Sequence, residues 1–63
     1  MKATPKQVRY LFVLLAKAGY STRNMDASFK RLGAKMRERS GTVQDWLESR
    51  TMAEASDLIE VLK

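Results

Sequence analysis

Helix-start signals stand near both ends of this chain, and they leave little room for anything but an all-α fold. Thr4-Pro5-Lys6-Gln7 sets a capping hydroxyl before a proline suited to the first helical position, with a glutamine three residues on to complete a capping box. Thr51-Met52-Ala53-Glu54 repeats the device. No stretch between them alternates apolar and polar residues as a half-buried strand does.

The spacing predicts a first helix over about 5–18, stopped by Gly19. Val8, Leu11, Phe12, Leu15 and Ala18 fall on one apolar face, with Leu14 on its edge. Asn24 is the expected N-cap of a second helix over about 25–39, where Met25, Phe29, Leu32 and Met36 recur at i, i+4, i+7 and i+11. Gly33 interrupts that stripe at a cost of about 1 kcal/mol relative to Ala, so the helix is expected to bend or break there. Thr42 caps a third helix over about 43–50, with Val43, Trp46 and Leu47 inward. A fourth runs over about 52–63 with Ala55, Leu58, Ile59 and Leu62 inward. The expectation is one domain, residues 1–63: a compact bundle of four short helices.

A chain of 63 residues, 44% of them apolar, can bury a small core without help. There is no Cys and no His. Disulfides and thiolate metal sites are excluded, and so are the usual general base and pH switch. No nucleophile–base set, Gly-rich phosphate loop or zinc spacing occurs. The reading is therefore not an enzyme, and no cofactor or metal is expected. The apolar run from Tyr10 to Ala16 is too short to span a bilayer. A cytoplasmic protein with no membrane role is expected.

Charge is divided unevenly. Residues 1–39 hold ten Lys/Arg against Asp26 and Glu38, a balance of +8; residues 40–63 hold two against five acids, a balance of −3. Folding needs no such split, and a basic surface attracts polyanions, of which nucleic acid is the commonest. On the first helix Lys6, Arg9, Tyr10, Val13 and Lys17 gather opposite the apolar face. Cations there meet phosphates, and an exposed ring stacks on an unpaired base. Lys30, Arg31, Lys35, Arg37 and Arg39, with Arg23 upstream, extend the basic set along the second helix. Trp46, between Asp45 and Glu48, is read as core, and Glu54, Asp57 and Glu60 as a solvated face. A helix-turn-helix over the second and third helices would make the acidic third helix the recognition helix, which suits DNA poorly.

Thr4-Pro5-Lys6-Gln7 with Leu11, Leu14-Leu15 and Gly19, then Thr51, Glu54-Ala55-Ser56, Leu58-Ile59 and Leu62, resembles a small uncharacterised helical module of bacterial, phage and plasmid proteins. Its pattern runs T-P-x-Q at one end and T-x-x-E-A-S-x-L-I-x-x-L at the other. The matching residues are caps and core positions. The resemblance thus implies the fold and carries no functional site. A specific function is expected in the longer middle, Tyr20 to Arg50. The leading expectation is a nucleic-acid-binding accessory protein, for DNA or RNA, using the first two helices. The alternative is an interaction module or inhibitor docking on an acidic protein partner, and the charge split also permits self-association.

Overall fold

All 63 residues are described by the structure, a computed structural model. The all-α bundle is what forms. Helix α1 covers Pro5–Lys17, α2 Val43–Glu48 and α3 Met52–Leu62, and the chain between α1 and α2 adds two 3₁₀ segments, Ala27–Leu32 and Met36–Arg39.

Both capping boxes are formed. The Thr4 hydroxyl accepts from the Gln7 amide at 3.1 Å while Gln7 Oε1 accepts from the Thr4 amide at 3.0 Å. Thr51 and Glu54 do the same at 3.1 and 2.9 Å. Each box satisfies amides that the first helical turn leaves without partners. At the far end of α1, Gly19 turns left-handed at φ 87°. The Gly19 amide then donates to Ala16 O and the Tyr20 amide to Leu15 O, the Schellman closure.

Two short antiparallel bridges organise the bundle, one nested inside the other. In the outer one, Lys2 pairs with Thr51: the Ala3 amide donates to Arg50 O and the Met52 amide to Met1 O, both at 2.8 Å. This brings the starts of α1 and α3 together, and Gln7 Nε2 reinforces it by donating to Met52 O. In the inner one, Asn24 pairs with Thr42 through Met25 N to Gly41 O and Val43 N to Arg23 O. It closes residues 25–41 into an excursion from the bundle. Asn24 is therefore a bridge residue, not the expected cap. The cap is Asp26, whose carboxylate accepts from the Ser28 amide at 2.9 Å.

The second helix differs most from expectation. Gly33 ends the first 3₁₀ segment at φ 88° with a second Schellman closure, Gly33 N to Lys30 O and Ala34 N to Phe29 O. The chain leaves at a new angle and the i+11 position no longer shares a face with the rest. Met25 and Phe29 are buried and Leu32 partly so, but Met36 is 81% exposed and Ala34 takes an inner place. On α1, Leu14 is buried rather than marginal, and Ala18, past the last helical turn, is exposed.

One core results. Eleven buried residues from α1, the excursion, α2 and α3 form a single cluster. Phe29 is fully buried at its centre, edge-on to Trp46 at 5.6 Å between ring centroids and tilted against Tyr20 at 5.5 Å. Such geometries suit the ring quadrupoles. No helix is long and apolar enough to cross a membrane.

A Cβ placed on Gly33 meets nothing within 4 Å, so its substitution isolates the backbone effect. Gly33→Ala should cost about 1–2 kcal/mol from left-handed strain alone. A thermal melt should show the midpoint falling by several degrees, whereas an unchanged midpoint would mean the closure at Gly33 does not hold the excursion in place.

Candidate nucleic-acid interface

All ten Lys/Arg residues of positions 1–39 make no ion pair. The ion pairs of the molecule involve only Arg50 and Lys63. The two acids of the basic half are engaged internally. The Asp26 carboxylate accepts from the Ser28 amide and hydroxyl, and Glu38 is held by the Lys35 amide and Arg50. The positive charge of this half is therefore not neutralised by close intramolecular partners.

On α1, Lys6, Tyr10, Val13 and Lys17 follow one another at i, i+4, i+7 and i+11, a single line along the exposed face. Tyr10 is 43% and Val13 48% exposed. Arg9 lies on the flank of this line, where it lines a groove of about 460 Å³ with Lys2 and Phe12. Gln44 and Glu48 of α2, joined by a 3.1 Å hydrogen bond, line the same groove. No carboxylate precedes Asp26 in the chain, so α1 itself carries nothing that repels a phosphate.

The excursion sorts the other expected contacts into two groups. Lys30, Lys35 and Arg37 are exposed and unpaired, and Arg23 stands exposed at the stem. Arg31 lines a cleft of about 280 Å³ together with Glu54 and Asp57 of α3. Carboxylates in the same cleft weaken its pull on a phosphate. Arg39 is only half exposed, and its Nε donates back to Ala34 O at 3.4 Å. It serves the excursion's own structure. The expected continuous basic helix is thus replaced by a basic loop with three freely presented cations.

Arg50 is the residue that sequence reasoning missed. Its Nη2 donates to Glu38 Oε2 at 2.9 Å, its Nε to Trp46 O at 3.2 Å, and its guanidinium lies 5.0 Å from the Trp46 ring centroid. Nη1 is 3.7 Å from Glu54 Oε2. The Trp46 and Glu54 contacts, each four residues from Arg50, were open to detection from spacing, and the Glu38 contact, twelve residues away, was not.

Glu38 is held below the usual carboxylate range, first by the Lys35 amide that donates to it and then by Arg50. Glu54 is lowered by the Thr51 amide and hydroxyl, with a smaller contribution from Arg50. Trp46 Nε1 is buried and makes no hydrogen bond of good geometry; the Glu38 carboxylate is the acceptor near it, and the indole N–H adds a small lowering of the Glu38 pKa.

No protein-family model, curated protein or solved structure matches this chain. The functional reading therefore rests on the geometry. No group of three or more Asp/Glu is placed to hold a metal ion. The arrangement offers cations without ion pairs and one exposed aromatic ring, Tyr10.

Because Glu38 has a lowered pKa in the fold, its ionised form favours the folded state. That contribution is complete above the ordinary carboxylate value near 4.5 and is lost as pH falls through the lower folded value. Wild-type stability should thus decline on acidification below that point. Glu38→Gln should lower the melting midpoint at neutral pH and flatten the acid limb. Parallel acid limbs in the two proteins would show that Glu38 does not hold the excursion.

Proposed function

We propose that this protein is a small nucleic-acid-binding accessory factor, contacting phosphates through the exposed face of α1 and through Lys30, Lys35 and Arg37 of the excursion. The observation that carries the reading is the state of the basic half: ten cations without an ion pair, and both acids engaged internally. Bound to DNA or RNA, such cations release condensed counterions, a driving force that needs no base-specific contact. The role is binding and not catalysis, and it is exercised in the cytoplasm. The resemblance of the two chain ends to modules of bacterial, phage and plasmid proteins suggests a bacterial or mobile-element setting.

Fluorescence anisotropy with a labelled oligonucleotide over a range of salt tests this. Log K should fall linearly with log[salt], by about 0.7–0.9 in slope for each phosphate neutralised. Replacing Lys30, Lys35 and Arg37 together by Glu should weaken binding and flatten the slope. Arg31→Glu should do less than Lys30→Glu, because Arg31 shares its cleft with Glu54 and Asp57. Affinity insensitive to salt, or unchanged in the triple variant, would overturn the assignment. A partner captured after nuclease treatment and released by salt would instead favour an acidic protein on the same face.

A further inference from the structure

We infer that the face of α1 selects single-stranded over duplex nucleic acid, with the Tyr10 ring as a base-stacking platform. This rests on the nucleic-acid reading above and assigns it a substrate class. The two tyrosines of the chain have opposite environments. Tyr20 packs on the core and pairs its ring with Phe29. Tyr10 belongs neither to the core nor to its partly buried rim, and its ring takes part in no aromatic or cation–π pairing. Val13 is likewise outside the core and lies on the same line of the helix. Lys6 and Lys17 stand at the two ends of that line, about 16 Å apart at the rise of an α-helix. The apolar pair is thus framed by cations with no ion pair.

A duplex gives such a ring little to bind. Its bases are stacked on one another, and its phosphates would be met equally well by a wholly polar basic helix. An unpaired base offers a π-face, and stacking on an aromatic side chain is tolerant of sequence. The flanking groove supports the same ligand. There Phe12 lines the wall beside Lys2 and Arg9, so a second aromatic ring and two cations lie next to the first set, against the single carboxylate of Glu48, which accepts a hydrogen bond from Gln44. The excursion adds charge and does not discriminate between strands. Selectivity therefore belongs to α1.

The test compares a labelled oligothymidylate with a hairpin duplex of equal phosphate number, at low salt, on the intact protein. The single strand should bind more tightly. Tyr10→Phe should keep that preference. Tyr10→Ser should lose about fivefold or more on the single strand, the smallest effect expected of one stacked base, and change little on the duplex. The salt slope should stay the same, because no charge is removed. Ultraviolet cross-linking of the wild-type protein to the oligothymidylate provides a measurement independent of how the variants fold. The linked peptide should contain Tyr10. Equal affinity for both probes, an equal loss on both in Tyr10→Ser, or cross-links confined to the excursion would overturn the inference and leave nucleic-acid binding standing. Failure of both probes to bind would overturn both.

Discussion

Arg50 ties together three stretches of chain with a single side chain. Its guanidinium joins the excursion through Glu38, the end of α2 through the Trp46 carbonyl and ring, and the first turn of α3 through Glu54. The Arg50 and Glu38 side chains are only 15% and 25% exposed. A charge-assisted bond in that setting is stronger than its counterpart in open water. The Arg50 carbonyl belongs to the outer bridge as well, accepting from Ala3. One residue therefore closes the fold with its backbone and fastens the excursion with its side chain.

That fastening is one of three that hold the excursion down. Its 3₁₀ segments have poorer hydrogen-bond geometry than an α-helix, and its inner side chains are chiefly Met25, Phe29 and Ala34. The inner bridge sets its two ends, Phe29 anchors its middle and Glu38 holds its far side. Five cations in a segment of this size repel one another, and a segment anchored at three points can carry that repulsion without leaving the core. The two carboxylates it contains serve as a cap and as an anchor, which leaves the charge it presents outward positive.

The parts of the fold that were legible in the sequence are those decided within a few residues. Both capping boxes, the glycine stop after α1 and the inward faces of α2 and α3 follow from spacing alone. The middle was not legible to the same degree. The break expected at Gly33 is there, but the stripe carried Met36 across it on the same face, and the Schellman closure turned Met36 outward and Ala34 inward. The Asn24–Thr42 bridge and the Glu38–Arg50 pair join residues 18 and 12 apart, and no local pattern announces them. For the candidate site, counting charges located the basic half. Only the path of the excursion separates Lys30, Lys35 and Arg37 from Arg31 and Arg39. The α1 line was readable throughout, because a regular helix keeps the order its sequence sets.

The position of Trp46 has a spectroscopic consequence. It is the one tryptophan of the chain, and its indole is packed by the Phe29 edge and the Arg50 guanidinium. Both neighbours belong to the system that holds the excursion down. If the excursion lifts, the ring loses an aromatic wall and its buried N–H meets water. The emission maximum would shift to the red before any helix unwinds. The protein thus carries its own optical probe of the closed state.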